Sequence, residues 1–351
     1  MLEKRQDCLV QSFWRMYMVQ INVSHTLINP ETIKQLLEGH GMTEEAQCEI
    51  LFRGLNDTYE ITDQLGRKYI FRLYRTGWRD KQAILFELDG LSQLAAHRFQ
   101  LSVPVQKLDG NYIYELHAPE GVRFGVLFTY AEGERPQINT DTSRLIGASL
   151  GQMHDLTTGF TSVYKRGFEL DTHHLLDEPA EVIAPVLEKH VGPEAVEILH
   201  IVANNTKADL AVLDLEKGFC HGDFHNHNMH LHDGGVEVFD FDCCAIGYRG
   251  YDLAVSWWNL KNNYKKMEEE CWDAFLEGYS AQRNLAADDM KSLPLFITAR
   301  RMWLLGTMIA NQDVWGTSWI NERTLKLFIG QLRTDRPGDT ELQEFDNKGI
   351  I

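Results

Sequence analysis

Apolar and polar positions follow two different spacings along the chain, and the change divides it into a strand-rich first part and a mostly helical second part. In the first part, short β-rich runs are separated by turn-forming sequences that contain glycine and asparagine. These runs cover residues 49–52, 58–62, 68–74, 112–116 and 123–130. Between them, residues 80–99 carry apolar side chains at helical spacing. The pattern therefore predicts an antiparallel sheet with one helix before residue 131.

Beyond residue 131 the spacing of apolar side chains is mostly helical. The predicted helices cover residues 142–156, 194–213, 251–262, 266–280 and 290–311. Short strand-like segments near 219–231 and 236–239 interrupt them. Upstream of the sheet, Asn29 and Pro30 are typical of a helix start, because Asn caps free N–H groups and Pro suits the first turn. Gly133 predicts a hinge between the two parts.

Together these patterns predict an α+β protein with two lobes. The predicted parts are an N-terminal extension at 1–28, a β-rich N-lobe at 29–132, a mostly helical C-lobe at 133–333 and a polar tail at 334–351. A length of 351 residues agrees with two lobes, at about 100–200 residues per domain.

Composition narrows the class of partners. The chain has 34 basic and 51 acidic residues, a net charge of −17, which disfavours contact with the phosphate backbone of nucleic acid. No apolar run reaches the roughly 18 residues of a membrane-spanning helix, and the N-terminus lacks the features of a signal peptide. The 6 cysteines follow neither disulfide nor CxxC metal spacing, so we expect reduced thiols and a cytoplasmic location.

The sequence HGDFHNHN at 221–228 is the densest group of chemically active side chains. A turn at Asp233–Gly234 and a second acidic segment, VFDFD, follow it. The chain here is predicted to form a loop, a strand, a turn and a returning strand. This order brings Asp223, Asn228 and Asp240 toward one point. Their oxygen atoms suit Mg²⁺, and an Asn five residues after an Asp is the spacing of protein-kinase catalytic loops.

The motif His-Gly-Asp-x-His-x-x-Asn, followed by Asp-x-Asp, resembles the signature of the aminoglycoside phosphotransferase and choline kinase-like family. That family includes homoserine kinases, methylthioribose kinase and the stress-response kinase A group, and the resemblance extends over residues 45–330. It implies a protein-kinase-like fold of two lobes that uses ATP and Mg²⁺. By this resemblance, Asp223 is the catalytic base, Asn228 and Asp240 bind Mg²⁺, His221 shapes the catalytic loop and Asp252 braces it.

The same resemblance implies a nucleotide site in the N-lobe. Asn56 lies in a short turn that would cover the nucleotide, and Thr129 and Ala131 lie in the hinge that would bind adenine through the backbone. On the strand at 69–74, Ile70 and Arg72 share one face, so that Ile70 would contact adenine while Arg72 reaches phosphate. Glu87 is the expected partner of Arg72, with Asp89 as its competitor. Arg72 stands where many kinases have lysine, and no Gly-x-Gly-x-x-Gly loop is present.

Other interpretations of the same residues remain open. The histidines between His221 and His232 also permit a zinc site, although their alternation along the chain places them on different sides. Asp242 either binds metal or supports the metal ligands. The chain could also be a Ser/Thr protein kinase of the stress-response type, or a regulatory module that binds ATP without transferring phosphate.

The acceptor site is expected in the C-lobe. Tryptophans there either belong to the core or hold an ammonium group, with Asp313 or Glu322 adding charge; they are Trp257, Trp258, Trp303, Trp315 and Trp319. Arg300 and Arg301 would instead suit an acceptor carboxylate. The predicted function is transfer of the ATP γ-phosphate to a hydroxyl of an amino alcohol, hydroxy amino acid, sugar or aminoglycoside. The acidic charge favours an acceptor that bears an amine, and the oligomeric state is left open.

Overall fold

A five-stranded antiparallel sheet forms the centre of the N-lobe. In this computed structural model, which describes residues 22–336 and 338–342, the strands lie in the order β1-β2-β3-β5-β4. They are β1 (Gln47–Arg53), β2 (Asn56–Thr62), β3 (Lys68–Tyr74), β4 (Ile113–Ala118) and β5 (Gly121–Thr129). All neighbouring strands pair antiparallel, as the sequence pattern predicts.

Two helices cover the two faces of this sheet. Helix α1 (Pro30–Leu37) begins at Asn29, whose side chain accepts a hydrogen bond from the Glu31 amide. It packs on the face that carries Tyr59, Ile61, Phe71, Leu73 and Leu127. Helix α2 (Lys81–Ala96) packs on the opposite face, where Tyr74, Val126 and Phe128 are buried. Side chains alternate between the faces of a strand, so the same alternation fills both cores and aims Arg72 toward α2.

The C-lobe consists mainly of helices around a second core. These are α3 (Thr140–Leu156), α4 (Glu178–His190), α5 (Pro193–Ala211), α6 (Arg249–Asn263), α7 (Glu268–Gln282), α8 (Ala287–Ala310), α9 (Gln312–Trp315) and α10 (Glu322–Asp335). Two small antiparallel pairs join strands β6 (Lys217–Cys220) and β9 (Ala245–Tyr248), and β7 (Met229–His232) and β8 (Gly235–Val238). No helix in the described part of the chain is long and apolar enough to cross a membrane.

The structure corrects the sequence prediction in three places of the C-lobe. Helix α4 was not predicted, because Pro185 in its interior looks like a helix break. Helix α10 was also missed. The loose polar tail expected from residue 334 begins inside α10, and Leu342 is buried against the C-lobe core. Residues 343–351 lie outside the described part of the chain.

The connection between the lobes is bonded to the β7–β8 hairpin. Gly133 has a φ of +92°, and a Cβ there would lie 2.0 Å from the carbonyl oxygen of Leu231. The next residue, Glu134, exchanges backbone hydrogen bonds with Leu231 in both directions. A glycine is therefore required where the chain passes this close to another backbone.

A fully buried arginine joins the end of the predicted N-terminal extension to the N-lobe. Arg123 Nη2 donates to Asp57 Oδ2 at 2.9 Å, and Nη1 donates to the Thr26 carbonyl at 2.8 Å. Thr26 in turn donates its amide and hydroxyl to Glu120. The extension was predicted at 1–28, and its part from His25 onward packs on the sheet; residues 1–21 lie outside the described part of the chain.

We expect Arg123→Met to lower the free energy of unfolding by about 3–5 kcal/mol, because it leaves the buried Asp57 carboxylate without its main partner. Urea unfolding measures the loss. Arg144→Met is the matched control, since Arg144 is 43% exposed and pairs with Glu277 at the surface, where a pair contributes about 0–1 kcal/mol. Equal losses in the two variants would contradict the importance of the buried pair.

Candidate active site

Asp252, in the first turn of α6, anchors the loop between β6 and β7 through hydrogen bonds. Its fully buried carboxylate accepts hydrogen bonds from the amides of His221 and Gly222, both at 2.7 Å. The His154 ring lies 3.2 Å from the same carboxylate. The brace that the family resemblance implied for Asp252 is therefore present.

Gly222 and His221 shape this loop. Gly222 has a φ of +81°, and a Cβ there would lie 2.3 Å from the carbonyl oxygen of Cys243. The buried His221 accepts the Asp223 amide at Nδ1, at 3.2 Å, so its proton lies on Nε2, which donates to the Phe239 carbonyl at 3.0 Å. Burial lowers the pKa of His221. A neutral imidazole with both nitrogens engaged fixes the shape of the loop.

Asp223, Asn228 and Asp240 are brought together on the loop and the β7–β8 hairpin, as the sequence predicts. Asn228 Nδ2 donates to Asp223 Oδ2 at 3.1 Å and to the Asp223 carbonyl at 2.9 Å. The Phe239 amide donates to the Asn228 carbonyl at 3.0 Å, which sets Asp240 beside this pair. Asp240 has a φ of +66°, a backbone conformation that non-glycine residues adopt rarely and mostly where function requires it.

Arg300, on α8, contacts the Asp223 carboxylate directly, which the sequence did not indicate. Its Nη2 donates to Asp223 Oδ1, while His225 Nε2 lies 3.2 Å from the same oxygen. Burial on its own would raise the pKa of Asp223, but Arg300 and then His225 hold it well below the usual range. The carboxylate is therefore ionised at neutral pH.

Arg72 spans the cleft from the N-lobe. Its Nη1 donates to Glu87 Oε1 at 2.7 Å, and its Nη2 lies 3.0 Å from Asp240 Oδ1. Glu87 is fully buried and also accepts the Tyr74 hydroxyl at 2.9 Å. The structure thus joins Arg72 to Glu87 and leaves Asp89 out of this contact.

The carboxyl group of Asp240 is poorly compensated. Although 44% of its side chain is exposed, it lies in the cleft, and its pKa is raised to about 7. Loss of solvent is the largest cause; Arg72 opposes it, whereas Asp242 and Asp223 add to it. A positive charge placed at this carboxylate would relieve the repulsion.

Asp242 connects the two lobes. Its Oδ2 accepts hydrogen bonds from Asn56 Nδ2 at 2.6 Å and from Trp78 Nε1 at 2.9 Å, and its carbonyl accepts Arg79 Nε at 2.8 Å. Burial raises the pKa of this carboxyl, but Arg79 and Arg72 outweigh it and lower the pKa. Asn56 was expected in a turn that would cover the nucleotide. In the structure its amide nitrogen donates across the cleft to Asp242.

The backbone of the hinge segment at 129–131 is only partly engaged in hydrogen bonds. Thr129 uses its amide for the Val103 carbonyl, and its own carbonyl accepts the Ser102 hydroxyl. The Ala131 carbonyl accepts His230 Nδ1 at 2.7 Å, whereas the Ala131 amide makes no hydrogen bond with any described residue. Ile70, on the same strand face as Arg72, pairs with Phe128 beside this segment.

The histidines considered for zinc have separate partners. His225 faces Asp223, His227 faces Arg135, His230 faces the hinge and His232 faces Asp233. They lie on different sides of the loop and strand, as their alternation along the chain suggests.

The side chains considered for the acceptor are also engaged. Asp313 pairs with Arg75 of the N-lobe, Glu322 pairs with Lys326 at the surface, and Arg301 pairs with Asp335. Trp257 stacks on Trp272 within the core, whereas Trp258 and Trp303 contact Arg300. A cavity of about 170 Å³ next to Trp303 is lined by Trp78, Arg79, Glu178, Thr307 and Asn311.

Comparison with known proteins identifies the family. A family model described as the phosphotransferase enzyme family matches residues 51–293. An uncharacterised protein of Deinococcus radiodurans is 36% identical over 84% of this chain and 86% of its own length. Stress response kinase A of Escherichia coli K12 is 24% identical over 72% of this chain and 74% of its own length.

Solved structures share the fold. The amicoumacin kinase hAmiN, in complex with AMP-PNP and Ca²⁺, superposes with a TM-score of 0.74 at 21% identity and covers 88% of this chain and 94% of that chain. A microcompartment-associated aminopropanol kinase gives a TM-score of 0.71 at 20% identity and covers 88% and 95%. The kinase-like two-lobed fold predicted from the sequence is confirmed.

The chain belongs to the phosphotransferase enzyme family, as its motifs suggested. It is an enzyme, a phosphotransferase.

We expect Asp252→Ala to lower the free energy of unfolding by about 2–6 kcal/mol, since it leaves two buried amides unpaired at about 1–3 kcal/mol each. Hydrogen exchange at the His221 and Gly222 amides should accelerate with it. Asp155→Ala, at an exposed position near the end of α3, is the control and should change neither quantity. Unchanged exchange in Asp252→Ala would contradict the bracing role.

Proposed function

We propose that this phosphotransferase moves the γ-phosphate of Mg²⁺-ATP to a hydroxyl of a small molecule that bears an amine. The observation that carries the proposal is the set of Asp223, Asn228 and Asp240 opposite the Arg72–Glu87 pair. Phosphoryl transfer depends mainly on positioning and charge compensation, and these groups supply both.

The donor atoms of the cleft fit a magnesium ion. Asn228 uses its amide nitrogen for Asp223, and its Oδ1 makes no hydrogen bond with any described residue. Asp240 uses Oδ1 for Arg72 and has Oδ2 remaining. Hard oxygen donors beside a poorly compensated carboxylate are the ligands that Mg²⁺ prefers, and the raised pKa of Asp240 supports a cation there. When bound, Mg²⁺ neutralises phosphate charge.

In the proposed mechanism the free Ala131 amide donates a hydrogen bond to adenine, with Ile70 against the ring. Arg72, held by Glu87, faces the phosphates. The acceptor hydroxyl attacks the γ-phosphorus, the bond to the β-phosphate oxygen breaks, and ADP leaves. Asp223 orients the hydroxyl and accepts its proton, for which its low pKa keeps it ionised.

The structural neighbours described above support an amine on the acceptor. The two structural neighbours, by their names, act on amicoumacin and aminopropanol.

The test is ADP release from Mg²⁺-ATP with hydroxylated amines, hydroxy amino acids, sugars and aminoglycosides. We expect turnover with the amine class, and a loss of at least about 100-fold in kcat in Asp223→Asn. Asp240→Asn should raise the Mg²⁺ concentration needed for half-maximal activity. Asp233→Asn is the matched control, because this aspartate is 86% exposed at the hairpin turn and should leave activity unchanged.

Full activity in Asp223→Asn would overturn the assignment of the base. The relation to stress response kinase A makes a protein hydroxyl the second candidate acceptor. Two results together would favour a protein acceptor: no small molecule is phosphorylated, and labelled phosphate is incorporated into a protein substrate by the wild type but not by Asp223→Asn. ATP binding without any transfer would contradict both activities.

A further inference from the structure

Arg300 occupies a closed compartment behind the loop that carries Asp223. It is 3% exposed, and its guanidinium carbon lies 5.5 Å from the ring centre of Trp258 and 5.0 Å from that of Trp303. Helices α6 and α8 supply the two indoles. Only Nη2 reaches out of this compartment to Asp223 Oδ1, and Nη1 and Nε are buried without a hydrogen-bond partner among the described residues. Burial lowers the pKa of Arg300, but Asp223 and then Tyr251 raise it, so the guanidinium stays charged and Asp223 is its principal partner.

The two oxygens of Asp223 differ in the number of donors that they receive. Oδ1 faces Arg300 Nη2 and His225 Nε2. The His225 proton lies on Nε2 because Nδ1 accepts the His227 amide at 3.2 Å. Oδ2 receives only Asn228 Nδ2, at 3.1 Å. Each carboxylate oxygen has two lone pairs, so Oδ1 is filled and Oδ2 retains one.

We infer that Arg300 is a positioning residue for phosphoryl transfer: together with His225 it occupies Oδ1 of Asp223 and so directs the acceptor hydroxyl to Oδ2, beside Asn228. The inference rests on the proposed function and adds to it the identity of the accepting atom and the residue that selects it. Arginine suits the task better than lysine, since its planar group fits between two indoles and its donors have fixed directions.

The test is steady-state kinetics of Arg300→Met with the acceptor found in the panel, or with ATP hydrolysis by water as the probe reaction. A carboxylate that is free to rotate presents the wrong oxygen for part of the time, so we expect kcat to fall about 10- to 100-fold, the effect of one charge-assisted hydrogen bond. KM for ATP should stay within twofold. Arg300→Lys should recover part of kcat, because lysine restores the positive charge but lacks the fixed, planar set of N–H donors of arginine.

Arg301→Met is the matched control. Arg301 is the next residue of α8, its side chain is 11% exposed, and it pairs with Asp335 away from the cleft. A loss of kcat common to both variants would show a structural effect of α8 and overturn the inference. A folded Arg300→Met with kcat within twofold of the wild type would also overturn it.

If Arg300→Met does not unfold cooperatively, and so is not properly folded, the kinetics of Arg300→Lys test the inference instead. A kcat reduced at least about fivefold at unchanged KM for ATP supports the inference, and wild-type kcat contradicts it. The activity of the wild-type protein distinguishes a failure of this inference from a failure of the proposed function. An enzyme that is silent with every acceptor and with water overturns the proposed function, whereas an active enzyme that is indifferent to Arg300 overturns only the positioning role.

Discussion

Repulsion among the acidic side chains of the cleft is the constraint on which the rest of the arrangement depends. Asp240, Asp242, Asp223 and Glu87 lie close enough that the other three each raise the pKa of Asp240, beyond the effect of lost solvent. The fold offsets this charge with arginines, whose guanidinium groups remain charged at every physiological pH. Each faces a different acidic residue: Arg72 faces Asp240, Arg79 faces the Asp242 carbonyl and Arg300 faces Asp223.

The same contacts hold the lobes together. Arg72 and Arg79 belong to the N-lobe and Asp240 and Asp242 to the C-lobe, so charge compensation and lobe docking are carried by one set of bonds. Asn56 and Trp78 reinforce that docking at Asp242.

The predictable part of the site is local in sequence. Asp223, Asn228 and Asp240 lie on one loop and one hairpin, so turn chemistry and strand order suffice to bring them together. The pairing of Glu87 with Arg72 was expected only from the resemblance to the family, and the structure joins the two side chains. Arg300 lies 77 residues from Asp223 and carries no local signal, since only the packing of α6 and α8 brings it to the loop. Asp313 and Glu322 were misjudged for the same reason, because their partners are set by tertiary packing and helix position.

The buried Arg123 also determines where the N-lobe begins. Its guanidinium is satisfied partly by the carbonyl of Thr26, which precedes the first helix. A shortened chain that starts at Asn29 would keep every strand and helix described here. It would lack the Thr26 carbonyl, however, and so leave the buried Arg123 guanidinium without one of its hydrogen-bond acceptors. Sheet and helix boundaries therefore do not mark the minimal folding unit of this enzyme, which extends upstream into a segment without regular secondary structure.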